Sequence, residues 1–185
     1  MPVRRSRGYA PLPVRLPVAG PSVLAVGGEM KAAFCLTRGG RAFLSQHVGD
    51  MENLETLEAF ERALAQMRRL VETTPERVAC DLHPGYLSSR WARQAGWPVV
   101  EVQHHHAHVA ALMAEAGLDG SEPVIGVAFD GTGYGLDGAI WGGEFLLADY
   151  RGFERFAHLK YVPMAGGDAS VRRTYRMALT HLRAA

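Results

Sequence analysis

The sequence has few cysteines, no long apolar run and almost no excess of charge. Its 185 residues include only Cys35 and Cys80, which lie far apart and do not form a paired-thiolate metal motif. Two such isolated cysteines predict buried, reduced thiols in a cytoplasmic protein. No apolar run approaches the roughly 18 residues of a transmembrane helix, so we expect no membrane association. The start is rich in proline and arginine and lacks the apolar core of a secretory signal.

The net charge also narrows the possible functions. Lysine and arginine number 20 and aspartate and glutamate 19, for a formal charge of +1. A total so close to zero gives no electrostatic reason to expect nucleic-acid binding. Apolar residues make up 48% and charged residues 21% of the chain, which is typical of a globular protein with a packed core.

Hydrophobic periodicity predicts the order β-β-β-α-β-α-β-α over the first lobe. Three strands form a meander, and the turn Arg38-Gly39-Gly40 joins the second strand to the third. A helix with apolar residues at three- and four-residue steps follows, and Asn53 is its expected N-cap. Two more strands then alternate with two more helices. This order predicts an α/β fold with helices covering a mixed five-stranded sheet.

Three regions are expected along the chain. Residues 1–21 are rich in proline and arginine without a period, which predicts a linker or tail. Residues 22–121 are expected to form the first lobe. Residues 122–185 are expected to begin a second lobe, with a glycine-rich turn, a hairpin and a last helix over 172–182, and this lobe is expected to be incomplete.

Four of the eight histidines fall within five residues, directly after the fifth predicted strand. In a helix, His104 and His108 lie on one face, one turn apart, where two imidazoles can reach one metal ion. Asp130 ends the next apolar strand and can add a carboxylate at the same sheet edge. These ligands suit Fe(II) or Zn(II) and leave positions open for substrate or water. His105 and His106 point elsewhere and are candidates for supporting roles.

A simpler interpretation of the histidine stretch stays open. Histidines at a helix start can hydrogen-bond to nearby carboxylates without binding a metal. The position of the stretch favours the metal site, because ligands of α/β sheets bind at the carboxyl ends of the strands.

A glycine-rich turn, DGTGYG, begins at Asp130. Its three glycines allow positive-φ turns and close approach of backbone N–H groups to an anion, and Thr132 adds a hydroxyl donor. The pair Gly27-Gly28, with Lys31 nearby, has the same character. Two such turns, one in each lobe, are what a nucleotide held between related lobes needs. An ordinary hairpin turn is the alternative.

Several long motifs together resemble the hydrogenase maturation carbamoyltransferase family HypF, in its domain similar to the tRNA threonylcarbamoyl transferase TsaD. The similarity covers nearly the whole chain, in order. The motifs are GGEMKAAFCL, AFLSQHVGDMENLETLEAFE, DLHPGYLSSRWA, VQHHHAH and FDGTGYGLDGAIWGGEFL. The first residues, RRSRGYAPLPVRLP, resemble the end of the preceding carbamoyl-adenylate-forming domain. Because the family's other regions have no counterpart here, we expect an excised or truncated piece.

The resemblance implies a fold and a reaction. The fold is an actin-like ATPase of the ASKHA type, built from two RNase H-like lobes. Carbamoyl phosphate and ATP give carbamoyl-adenylate in an upstream domain. The carbamoyl group then passes to the C-terminal cysteine of the partner HypE, where dehydration yields the cyanide ligand of nickel–iron hydrogenase.

The resemblance also implies site residues. A divalent metal, iron or zinc, is expected on His104, His108 and Asp130. The nucleotide, ATP or carbamoyl-adenylate, is expected to contact Gly131, Thr132, Gly133, Tyr134 and Gly135. The motif DLHPGY lies at the mouth of the cleft in such proteins, so weaker candidates are Asp81, His83 and Tyr86.

Two other functions stay open at this point. One is threonylcarbamoyl transfer to tRNA, which the near-neutral charge disfavours. The other is a fragment that binds metal and nucleotide without catalytic activity, which an unfinished second lobe would favour.

Overall fold

The computed structural model describes residues 12–167 and 169–185. Residues 1–11, which make up the first half of the predicted linker, lie outside the described residues. The described part is a mixed α/β structure with one large sheet and two small ones. No helix in these ranges is both long enough and apolar enough to cross a bilayer.

The large sheet has six strands rather than the predicted five. They are β1 (Val14–Arg15), β2 (Val23–Ala25), β3 (Cys35–Arg38), β4 (Arg41–Leu44), β5 (Arg77–Asp81) and β6 (Val99–Val102). Their order is β1-β4-β3-β2-β5-β6. The meander β2-β3-β4 is antiparallel, as predicted, whereas β2, β5 and β6 run parallel.

The additional strand lies inside the segment predicted to be a linker. Val14 and Arg15 pair antiparallel with Ala42 and Arg41, and the Leu16 N–H donates to the Gly40 carbonyl at 2.8 Å. The prolines on both sides argued against a strand. An edge strand tolerates them because only one of its sides is hydrogen-bonded.

Two helices pack against the large sheet, and the hydrophobic core lies between these helices and the sheet. They are α1 (Leu54–Val71) and α2 (Leu87–Gln94). The Asn53 side chain accepts from the Thr56 N–H at 2.9 Å, which confirms the predicted N-cap of α1. Phe60 of α1 is fully buried and makes edge-on ring contacts with Phe34 and Trp91.

The remaining elements form a second unit after α3 (His104–Glu115). Its strands are β7 (Val124–Ala128), β8 (Gly133–Tyr134), β9 (Ile140–Trp141), β10 (Glu144–Ala148) and β11 (Phe153–His158). The strands pair as two antiparallel sheets, β11-β10-β7 and β8-β9. Two helices, α4 (Ala169–Arg172) and α5 (Tyr175–Ala184), replace the single predicted last helix.

Helix α3 joins this second unit to the first. Val109 and Met113 of α3 pack against Leu146 and Ala148 of β10. A Cβ at Gly126 of β7 would collide with the Val109 side chain, so glycine permits the close approach of strand and helix. The end of β7 therefore lies beside the first turn of α3.

Candidate metal centre

The three predicted metal ligands lie together at the start of α3. Asp130 Oδ2 is 2.8 Å from His104 Nε2 and 3.0 Å from His108 Nε2, and the two imidazole nitrogens are 3.3 Å apart. All three ligand atoms fall within 4.8 Å of one another. The helical i, i+4 spacing aligns the histidines, and the end of β7 brings the aspartate to them. Two imidazoles and a carboxylate are a donor set that fits zinc or iron.

A second carboxylate supports the first histidine. Asp81, at the end of β5, is buried, and its Oδ2 accepts from His104 Nδ1 at 2.6 Å. Its other oxygen accepts from the His83 N–H at 2.8 Å. Such a bond fixes the proton of an imidazole on Nδ1 and leaves Nε2 for a metal. Asp81, a weaker candidate in the sequence, therefore contacts the cluster directly.

The carboxylates change the protonation of the cluster. Hydrogen bonds to Asp130 and then to Asp81 raise the pKa of His104 to about 10, against the opposing effect of burial. Burial alone would raise the pKa of Asp130, but hydrogen bonds from His104 and His108 outweigh it and lower this pKa well below its ordinary value. Without a metal, the cluster thus holds a His104 imidazolium between two carboxylates.

Metal affinity is therefore expected to rise with pH. Because the pKa of His104 is about 10 in the metal-free protein, this ring is protonated between pH 6 and pH 8, and a metal must displace the proton. One displaced proton raises the apparent affinity about tenfold per pH unit. Isothermal titration with Zn²⁺ in buffers of different ionisation enthalpy counts the protons released. Binding without proton release would contradict this expectation.

The sequence did not reveal the residue that caps α3. The Gln103 side-chain oxygen accepts from the His106 N–H at 2.9 Å. Its amide group donates to His105 Nδ1 at 3.1 Å and to the Tyr134 carbonyl at 3.3 Å. Glutamine is not among the preferred N-cap residues, so local propensity gave no signal for it.

The other two histidines of the stretch, His105 and His106, lie outside the group of three proposed ligands. His106 Nε2 lies 2.7 Å from the Asp149 carbonyl, on the side of the second unit. His105 is completely buried, and this burial lowers its pKa. Its ring lies under the glycine-rich turn.

The glycine-rich turn differs from the prediction in its backbone. Only Gly131 has a positive φ, of +85°. Gly133 and Gly135 are needed for space instead, because a Cβ there would collide with His105 and with Trp141, respectively. The N–H groups of Gly131 and Gly135 donate to carbonyls of the same turn region, which leaves fewer backbone donors for an anion than we expected.

A cavity beside this turn offers space for a ligand. Its volume is about 510 Å³. Its lining includes Gly131, Thr132, Gly143, Tyr161, Met164 and Met177. Tyr134 does not line this cavity. Its ring meets that of His83 edge-on, with centroids 5.3 Å apart. Nucleotide contact by residues 131–135 stays a prediction.

The motif DLHPGY forms an aromatic wall next to the metal cluster. The rings of His83 and Tyr86 stack with centroids 4.0 Å apart. His83 Nδ1 accepts from the Gly85 N–H at 3.1 Å, which fixes the ring orientation. A Cβ at Gly28 would lie 4.0 Å from both Tyr86 and His104, so the first glycine pair also reaches this wall.

Lys31 is the other predicted nucleotide contact. Its backbone N–H donates to Asp50 at 2.6 Å, and its side chain is exposed. Within the described ranges, the Lys31 side chain forms no hydrogen bond or ion pair. Its proposed contact with a nucleotide stays a prediction.

A buried ion pair holds the far side of the glycine-rich turn. Glu144 is 1% exposed, and its Oε2 accepts from Arg155 Nε at 2.6 Å. Its Oε1 accepts from the N–H groups of Gly142 and Gly143 at 3.0 and 3.3 Å. The Arg155 guanidinium lies 4.0 Å above the Trp141 ring. This pair therefore supports the segment against which the turn packs.

Replacing Asp81 with asparagine is expected to weaken metal binding about 10- to 100-fold. The amide carries no charge, so the His104 imidazole becomes less basic and binds a metal ion more weakly. Competition for Zn²⁺ against a chromophoric chelator measures the change. Asp119→Asn is the matched control, because Asp119 is an exposed carboxylate that accepts a hydrogen bond from the nearby Ser121 N–H. Equal affinities of the two variants would contradict a supporting role for Asp81.

Comparison with known proteins confirms the resemblance of the motifs. A family model described as the HypF Kae1-like domain matches residues 19–115. A second, described as the carbamoyltransferase Kae1-like domain, second subdomain, matches residues 126–185. Carbamoyltransferase HypF2 of Cupriavidus necator is 51% identical over 186 residues, which is 98% of this chain and 23% of the relative. Carbamoyltransferase HypF of Rhizobium leguminosarum bv. viciae is 44% identical over 183 residues, which is 99% of this chain and 24% of that relative.

Solved structures agree with the sequence comparison. A crystal structure of full-length HypF in the phosphate- and nucleotide-bound form superposes with a TM-score of 0.88 at 47% identity. The match covers 94% of this chain and 23% of that chain. The present chain thus spans about a quarter of the length of the relatives it matches. Two adjoining family models and these identities together show that the chain belongs to the HypF carbamoyltransferase family.

Proposed function

We propose that this chain forms the carbamoyl-transfer site of a HypF protein that serves hydrogenase maturation. The observation that carries the proposal is the convergence of His104, His108 and Asp130 beside the aromatic wall and the glycine-rich turn. In this proposal the cluster holds a divalent metal, zinc or iron, and carbamoyl-adenylate binds next to it. A bound metal of this kind acts as a Lewis acid on an oxygen of the substrate.

We further propose that the fold is that of an ASKHA protein with two lobes. The mixed sheet with three parallel and several antiparallel strands supports the first lobe. The separate family models over residues 19–115 and 126–185 support the division near residue 121. In such an arrangement the two glycine turns would approach the nucleotide from opposite lobes.

The reaction is an acyl transfer to a thiol. The acceptor sulfur attacks the carbamoyl carbon and forms a C–S bond. The C–O bond to the phosphate breaks, so AMP leaves. The thiol proton passes to solvent. Because carbamoyl-adenylate is already activated, the protein must mainly position the reactants and exclude water. Asp81 orients His104, and the stacked His83 and Tyr86 form a wall that shields the site.

The acceptor thiol is proposed to come from a partner protein. Burial raises the pKa of Cys35 to about 11 and also raises that of Cys80, so neither is a ready thiolate. The C-terminal cysteine of a HypE-like protein would be the acceptor, with carbamoyl phosphate and ATP used by an upstream domain. Both cysteines are free thiols, which is in keeping with a cytoplasmic location.

The test uses a full-length HypF protein in which this chain replaces the corresponding segment. Carbamoyl transfer from carbamoyl phosphate and ATP to a cysteine-ended acceptor is followed by mass spectrometry. The His104→Ala/His108→Ala protein is expected to lose transfer while the upstream domain still releases pyrophosphate as it forms carbamoyl-adenylate. Undiminished transfer by this variant would overturn the proposal.

The same chimera separates the alternative functions. A chain that binds metal but never supports transfer would be a fragment without catalytic activity. Threonylcarbamoyl transfer requires tRNA binding with a steep salt dependence, and the near-neutral charge gives it no support.

A further inference from the structure

The His105 ring has one nitrogen, Nε2, that is buried without a hydrogen-bond partner in the described ranges. Its side chain is fully buried, yet its Nε2 has no hydrogen-bond partner in the part of the chain that the structure describes. Buried polar atoms are almost always paired in folded proteins, so an unpaired one calls for a functional explanation.

The hydrogen bonds of Gln103 fix which nitrogen of His105 carries the proton. The Gln103 oxygen accepts from the backbone N–H of His106, so its amide group must be the side that faces His105 Nδ1. Because Nδ1 accepts from that amide, the proton of the neutral ring is on Nε2. An N–H donor therefore points away from Gln103.

That donor faces Asp130. His105 Nε2 is 3.9 Å from Asp130 Oδ2, which is too long for a hydrogen bond but within the reach of a small side-chain rotation. In the metal-free cluster, the same oxygen contacts the Nε2 atoms of His104 and His108. When both nitrogens turn their lone pairs to a metal, the carboxylate loses these two contacts and needs a new donor.

The glycine-rich turn is shaped around this ring. Gly133 lies three residues after Asp130, and a Cβ there would collide with His105 Cε1 and come within 2.9 Å of Nδ1. The absence of a side chain at this position thus leaves room for the ring where it stands, near the aspartate.

We propose that His105 is a positioning residue whose Nε2–H donates a hydrogen bond to Asp130 once the cluster binds a metal. This bond would fix the orientation of the carboxylate that holds the ion. The inference rests on the proposed metal site, and it assigns His105 no contact with substrate.

Zn²⁺ affinity of the chain, measured by chelator competition, tests this role. His105→Met fills the same space without a donor and is expected to bind about 10- to 100-fold more weakly. His105→Gln places a side-chain N–H near the position of Nε2 and is expected to restore affinity to within about threefold. His106→Met is the matched control. It removes a histidine from the same helix, but the hydrogen bond that is lost, to the Asp149 carbonyl, lies away from the cluster.

A second measurement needs no substitution. In protein with ¹⁵N-labelled histidine, NMR identifies the protonated nitrogen of His105, and addition of Zn²⁺ is expected to shift its Nε2–H proton downfield. A proton on Nδ1, or an Nε2–H signal that Zn²⁺ leaves unchanged, would overturn the inference. Equal Zn²⁺ affinity of His105→Met and the unmodified chain would overturn it as well.

These outcomes are distinct from failure of the metal site itself. If the unmodified chain does not bind Zn²⁺, or if His104→Ala/His108→Ala binds it equally well, the proposed site fails and the role of His105 fails with it. If binding depends on His104 and His108 but not on His105, only the present inference is wrong.

Discussion

The variant His104→Ala/His108→Ala is expected to lose zinc affinity by about 10⁴-fold while keeping its fold. Structural zinc sites with four ligands contribute about 10–16 kcal/mol, which is about 3 kcal/mol, or about 100-fold in affinity, for each ligand. Both imidazoles lie near the surface, since their side chains are 24% and 59% exposed, so their removal leaves little empty space in the core. Elemental analysis and chelator competition on untagged protein measure the loss.

The control for this prediction is the third histidine of the same turn. His106→Ala removes an imidazole from α3 but not from the cluster, and its zinc affinity is expected to stay within about threefold of the unmodified chain. Circular dichroism establishes that both variants fold. A double variant that retains zinc would mean that the histidines only form a polar helix start.

The second large effect concerns stability rather than binding. Arg155→Leu is expected to lower the free energy of unfolding by about 3–5 kcal/mol, because it leaves the Glu144 carboxylate buried without its partner. The substitution also removes the contact of the guanidinium with the Trp141 ring. Urea denaturation followed by tryptophan fluorescence measures the change.

An exposed ion pair gives the matched control. Arg62 and Glu58 lie one turn apart on α1 with 3.5 Å between their charged atoms, and both are largely exposed. Arg62→Leu is expected to cost only about 0.3–0.5 kcal/mol. The double variant Arg155→Leu/Glu144→Leu should recover part of the lost stability, because it removes both charges. Equal losses of unfolding free energy in Arg155→Leu and Arg62→Leu would show that the buried pair stabilises the fold no more than the exposed pair does.

The contribution of this pair also depends on pH. Burial alone would raise the pKa of Glu144, but the hydrogen bond and charge of Arg155 and the N–H groups of Gly142 and Gly143 together outweigh it and lower the pKa below the ordinary value of 4.5. For a carboxyl with a depressed pKa in the folded state, the stabilisation is complete above the unfolded value and is lost as the pH falls through the folded one. The difference between Arg155→Leu and the unmodified chain should therefore shrink below about pH 4.

Local signals predicted the helices and the hairpin of the first lobe well. The apolar spacing and Asn53 defined α1, and Gly39-Gly40 defined the turn between β3 and β4. In each case, the residues that specify the element lie within it or next to it. The sixth strand was missed because Val14–Arg15 is specified by its partner β4, and two residues show no periodicity.

The convergence of the three proposed metal ligands could be predicted, but not the residues that position them. Helical spacing and strand ends were enough to bring His104, His108 and Asp130 together. The Gln103 cap and the Glu144–Arg155 pair depend on side-chain contacts between elements, which carry no local pattern. Gly133 and Gly135 show the same limit, because a glycine required by a neighbouring side chain looks the same in sequence as one required by positive φ.

X-ray absorption at the zinc edge of the loaded protein tests the metal centre most directly. The expected spectrum has two imidazole nitrogens at about 2.0–2.1 Å and a carboxylate oxygen at about 2.0–2.2 Å, and the imidazole signal disappears in His104→Ala/His108→Ala. Sulfur ligands at about 2.3 Å, or an imidazole signal that persists in the double variant, would contradict a centre built from His104, His108 and Asp130.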